Sequence, residues 1–236
     1  MSPAIPLLPP HLVFDAQARG LVLLVGLQAG PPSLDLESIE VSLHGRGIAT
    51  LNVKLLPKVP SDVPPATALL VAHLSSLLHE LAARPGMGAL PLGLCCGRQE
   101  AAAVLAVAAR HAAQVKAVVL LGGEVEVPDE TLAALQAPVL MIVGPGEFDL
   151  LGVNRRLCDR LGLQARLEVL PEEGHLFADS GLGMRKAELA AGWFARHLPV
   201  GASARAPLPP LVPQMVPGHH LAQALAPRHS EADGSV

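Results

Sequence analysis

The chain predicts an α/β fold: a mostly parallel sheet of about six to seven strands with helices on both faces. Two observations carry this. The short apolar runs are continuous rather than alternating, as in strands buried on both sides. Nearly every run is followed by apolar residues at helical spacing, the alternation that builds a parallel sheet.

Gly20–Val25 (GLVLLV) reads as a buried strand, and Leu36, Ile39 and Leu43 then recur at helical spacing. Gly47–Leu55 is a second strand, followed by a loop holding Pro57, Pro60, Pro64 and Pro65. The next helix carries the stripe Leu70, Leu74, Leu77, Leu78 and Leu81. Ala89–Leu94 is a short apolar run before a small-residue helix, Gln99–Ala113. Ala117–Leu121 and Val139–Val143 are two more runs, with a short helix over Asp129–Gln136 between them. Leu150, Val153, Leu157 and Leu161 mark a further helix, and Ala165–Leu170 a further strand. The last helix runs over Gly183–Leu198, and His11–Ala16 is a candidate edge strand. This gives a flexible arm over 1–11, one folded domain over 12–200 and a disordered Pro/Ala/His-rich tail over 201–236. Without a carboxylate or Cys to complete a spacing, His219, His220 and His229 read as part of a polar tail rather than a metal site.

Composition excludes several classes. Half of the 236 residues are hydrophobic and the net charge is only -4, so the chain as a whole is not disordered. Lys and Arg (17) are outnumbered by Asp and Glu (21), and there are only four Phe, one Trp and no Tyr. No nucleic-acid partner is expected from that balance. The uncharged stretch Val63–His79 is broken by prolines, serines and histidines, so no membrane span is expected. Three cysteines, two of them adjacent, make a poor disulfide framework and fit a reducing, cytoplasmic setting. No dinucleotide fingerprint follows the first strand, and no metal or organic cofactor is implied.

The strongest local feature is Gly93-Leu94-Cys95-Cys96-Gly97, where an apolar run turns into a helix. A nucleophile elbow needs this context, with small residues two before and two after the central one. Gly93 and Gly97 meet that need and place Cys95 at the carboxyl edge of the sheet. A helix starting near Cys96 would favour the thiolate. The alternative is a pair of buried structural cysteines beside turn glycines. A nucleophile needs a base, and the base an orienting acid, in the chain order nucleophile, acid, base. Glu147 and Asp149 follow the Val139–Val143 strand, and His175 follows the strand ending at Leu170. Both fall where that order requires them.

These residues resemble the dienelactone hydrolase-like branch of the α/β-hydrolases, over about Gly20–Leu198. The likeness is to small, cap-less bacterial members with a G-x-S-T-G elbow. It rests on Gly47–Leu51, Gly93–Gly97 with Ala101-Ala102-Ala103, Val143-Gly144 with Asn154-Arg155-Arg156, and Gly174–Phe177. The resemblance implies an α/β-hydrolase fold, with Cys95 as nucleophile, His175 as base, and Glu147 in the place of the usual Asp, with Asp149 the alternative acid. It also implies an oxyanion hole from the backbone N–H groups of Leu27 and Cys96. The chain departs from the family where the loop after the first strand reads Gly26-Leu27 instead of beginning His-Gly. Leu21–Ser33 holds no acid, whereas dienelactone hydrolases proper place a Glu near the thiol. Arg98 and Gln99 stand where relatives carry small residues. The implied activity is hydrolysis of an ester, lactone or thioester of a small molecule through an acyl-enzyme. Acyl transfer to another acceptor uses the same residues. The rival reading is a hydrolase-like binding protein without catalysis. Oligomeric state stays open. With few aromatics, the pocket is expected to be aliphatic, and the Pro57–Pro65 loop to be its only cover.

Overall fold

A computed structural model describes residues 18–26, 34–54, 67–123, 126–144, 147–171 and 178–198, all within one compact unit, Met1–Ala206. The expected edge strand at 11–16, the proline loop, Leu27, His175 and the tail lie outside the described residues.

Six strands are described: β1 Leu21–Gly26, β2 Ala49–Lys54, β3 Leu92–Cys96, β4 Val115–Leu121, β5 Val139–Val143 and β6 Ala165–Val169. They form one sheet in the order β2-β1-β3-β4-β5-β6, and every pairing is parallel. The helices are α1 Leu34–His44, α2 Thr67–Ala83, α3 Ala101–Arg110, α4 Asp129–Ala134, α5 Phe148–Leu161 and α6 Ala178–His197. None is long and apolar enough to cross a membrane, among the described residues.

Strand alternation sends successive side chains to opposite faces and so divides the core in two. On one face Leu21, Leu23, Leu94, Cys96, Leu120 and Met141 pack with the leucine stripe of α2, with α3, and with Leu157 and Leu161 of α5. On the other, Val22, Leu24, Cys95, Val119 and Ile142 pack with Ile39 and Leu43 of α1 and with Ala190, Ala191 and Phe194 of α6. The continuous apolar strands are thus explained: both faces are covered. Alanines in α3 favour the helix and let it lie close on the sheet.

From β1 the chain goes to β2 on one side, then crosses over to β3 on the other. That reversal makes a crevice beyond the carboxyl ends of β1 and β3, the usual ligand position in open parallel sheets.

Two boundaries differ from the expected ones. The run expected to end at Leu94 continues as strand through Cys96, because both cysteines keep partners on each side. The helix expected near Cys96 begins at Ala101, after a turn over residues 98–100. The polar Arg98-Gln99-Glu100 segment supplies that turn, and the helix starts with the alanines.

Candidate active site

Cys95 is paired with Leu24 of β1 and Val119 of β4, and its side chain is fully buried. Cys96 is paired with Val25 and Leu120 and is equally buried, on the opposite face. Cys95 is therefore an extended strand residue one step from the strand's end, not the apex of a strained turn.

Burial pushes the Cys95 thiol up from 9.0 to about 12, and the nearby Asp35 carboxylate pushes it the same way. Burial likewise raises the Cys96 thiol, helped by the Glu100 carboxylate and by Cys95. The expectation of a thiolate stabilised by a helix amino terminus is thus corrected. α3 starts five residues beyond Cys96, too far for its dipole to outweigh desolvation.

The elbow glycines have separate reasons. A Cβ on Gly93 would lie 2.5 Å from Cε1 of Phe194 and 3.0 Å from Cγ2 of Val22. Gly93 lets the fully buried ring of Phe194 in α6 approach β3 closely, on the same face as Cys95. A Cβ on Gly97 would meet only the Glu100 carboxylate, at 3.3 Å. Gly93→Ala should therefore cost about 2–3 kcal/mol by overpacking, and Gly97→Ala less than about 1 kcal/mol. Thermal unfolding of the two variants checks this ranking.

Glu147 closes the loop after β5. Its Oε2 accepts the backbone N–H of Gly144 at 2.7 Å, so the longer side chain folds back over the strand end. Gly122, at the end of β4, adopts φ +64, and a Cβ there would stand 3.2 Å from the Glu147 carboxylate. That positive φ and close approach both require glycine. Asn154, fully buried on α5, donates to the carbonyls of Gly123 (2.9 Å) and Leu150 (2.8 Å), tying the same turn to the helix. Asp149 points elsewhere: it is largely exposed and its Oδ2 accepts from Arg98 at 3.3 Å. Of the two candidate acids, Glu147 is held against the sheet's carboxyl edge.

One pair was not singled out from the sequence. Lys186 of α6 donates to Asp35 of α1 at 2.7 Å, both partly buried, and Lys186 Cε is 4.0 Å from a Cβ placed on Gly144. Lys186 and Glu147 both flank Gly144, and the Asp35 carboxylate adds to burial in raising the Cys95 thiol. The sequence signal was an acid in the first turn of α1, two residues beyond the acid-free 21–33 segment. Among the described residues no group of three or more His, Cys, Asp or Glu is placed to hold a metal.

No family model matches the chain. In three dimensions it is similar to a dienelactone hydrolase from Anabaena variabilis, at 28% identity and TM-score 0.66, over 77% of this chain and 88% of that one. The chain has an α/β-hydrolase fold and is similar to that dienelactone hydrolase. The hydrolase fold is shared with Est1E from Butyrivibrio proteoclasticus, at 10% identity and TM-score 0.60, over 76% of this chain and 88% of that one. Two Mycobacterium tuberculosis proteins, of strains CDC 1551 and H37Rv, are provisionally named phosphoribosyl transferases and are each 31% identical over 194 residues. That match covers 80% of the hydrolase-like chain but 43% of theirs, so the chain spans less than half the length of these relatives.

Proposed function

We propose that the chain is a hydrolase acting on ester, lactone or thioester bonds of a small molecule, through Cys95, His175 and Glu147. One observation carries the reading. Cys95 stands near the carboxyl end of β3, where the sheet order reverses, with Glu147 held over the ends of the adjoining β4 and β5. The likeness to the Anabaena dienelactone hydrolase supports it. Phosphoribosyl transfer is not carried over, because the chain matches under half of the proteins that bear that name.

In this mechanism a neutral thiol is the resting state. His175 takes the proton as sulfur attacks the carbonyl, so the base acts during the step rather than in a standing ion pair. The backbone N–H groups of Cys96 and Leu27 receive the oxyanion, each such donor contributing about 3–4 kcal/mol to the transition state. His175 then protonates the leaving group and activates water to release the acyl group. Glu147 orients the imidazole and stabilises its charge.

A panel of short aliphatic p-nitrophenyl esters and thioesters, read by turnover and by intact mass, tests this. Wild type should show an acyl adduct on Cys95 that is absent in Cys95→Ala. The complete burial of Cys95 favours a second reading, a hydrolase-like protein that binds a small molecule without turnover. That reading expects no adduct, and equal, background rates from wild type and variant.

A further inference from the structure

A second concave site lies on the opposite face from α1 and α6. It is a cleft of about 1290 Å³ between the turn leading into α3 and the exposed side of α5, closed at one end by residues 126–128. Arg98 and Gln99 enter from the α3 side, Arg156 and Arg160 from α5, and Glu126 is the one acid in the lining among the described residues. Three arginines face one glutamate in the described lining, with the paired acids Asp129 and Asp149 at the rim.

The three guanidinium groups differ in how they are held. Arg160 donates to the carbonyl of Val127 at 2.9 Å and pairs with Asp129, so it is fixed by backbone. Arg98 pairs with Asp149 at 3.3 Å. Both acids are at the rim, Asp129 93% and Asp149 72% exposed, and such solvated pairs contribute about 0–1 kcal/mol. An anion entering the cleft can displace them. Arg156 has no hydrogen-bond or ion-pair partner among the described residues. It sits one helical turn before Arg160, so the two side chains lie on the same face of α5. The floor between them is apolar, with Val127 and Leu157 among the lining residues.

We propose that this cleft binds an organic phosphate, with Arg98, Arg156 and Arg160 on the phosphate oxygens and the organic part on the apolar floor. Guanidinium forks pair with phosphate in bidentate fashion. Three forks from two elements offer more donors than the two oxygens of a carboxylate accept, and a phosphate monoester presents three terminal oxygens. The cleft is far larger than a bare ion, which places the phosphate on a larger molecule. The assignment is one of binding and does not depend on turnover at Cys95.

Calorimetric titration of the full chain at fixed ionic strength, with phenyl phosphate, inorganic phosphate and benzoate as probes, tests it. Phenyl phosphate should bind best, and Arg156→Gln should weaken it at least tenfold with unchanged thermal unfolding. Arg156→Gln is chosen because no described contact depends on that side chain; Arg156/Arg160→Gln should abolish binding. No heat from phenyl phosphate with wild type, or equal binding by Arg156→Gln, overturns the site. Benzoate binding as tightly overturns the choice of phosphate, and inorganic phosphate binding as tightly overturns the organic part. Esterase turnover, measured in parallel, is expected to persist in Arg156→Gln. Its absence in wild type as well would count against the Cys95 mechanism and leave the cleft assignment standing.

Discussion

Iodoacetamide should label native Cys95 at least tenfold more slowly than a cysteine of the unfolded chain at neutral pH. The thiol is pushed up from 9.0 to about 12, so the thiolate fraction at neutral pH falls steeply, a loss only partly offset by the greater nucleophilicity of a more basic thiolate. The sulfur is also inaccessible, at 0% exposure, so reaction needs local opening as well. Mass spectrometry of peptides after timed alkylation, native against denatured, reads the ratio directly. A native rate equal to or above the denatured rate would mean that Cys95 is an activated thiolate, contrary to its surroundings. The same shift has a consequence for stability. Between pH 9.0 and about 12 the unfolded chain has released a proton that the folded chain still holds. Stability is therefore fully present below pH 9 and falls as pH rises towards 12. Cys95→Ala should flatten that fall, which denaturant titrations at pH 8 and pH 10.5 would show.

Glu147→Gln should lower kcat on the best ester by about 10³–10⁴-fold, the scale seen when the orienting acid of a triad loses its charge. The substitution keeps an amide oxygen to accept the Gly144 N–H, so the loop should survive and thermal unfolding should change little. Asp149→Asn should change kcat less than about threefold, because that carboxylate faces Arg98 and solvent. The reverse ranking would assign the acid to Asp149. Equal, small effects from both would remove an acid from the mechanism.

The central strands β1, β3, β4 and β5 were legible because they are buried on both faces and so read as mostly unbroken apolar runs, whereas the edge strands β2 and β6 mix polar and apolar residues. The same pattern placed Cys95 at the carboxyl edge of the sheet, but at a turn after Leu94 rather than within the third strand. Its environment did not follow. The Gly-x-Cys-x-Gly spacing suits a sharp turn, yet Cys95 and Cys96 both retain partners on two neighbouring strands, and the ladder outcompetes the turn. Where a helix begins is poorly encoded when no capping side chain marks it, and Glu100 makes no side-chain cap. The choice between Glu147 and Asp149 was open because only Phe148 separates them. The proposal favours Glu147 because a backbone N–H at Gly144 and a glycine at 122 on a different strand hold its carboxylate at the sheet's carboxyl edge. Lys186 and Asp35 lie 151 positions apart, and only the packing of α6 on α1 brings them together.

The adjacent cysteines share a peptide bond but not a compartment. Because alternation sends Cys95 towards α6 and Cys96 towards α2 and α3, the two sulfurs are separated by the sheet itself. Oxidants cannot join them while β3 stays in its ladder, so the pair has no redox couple to offer in the native state. It also makes the pairing register of β3 the selector of chemistry. A slip of a single position would exchange the two thiols between the cores, and bring Cys96 to the side that Cys95 now occupies. The contact of Gly93 with Phe194 resists that slip, since any side chain moved into its place would meet the ring.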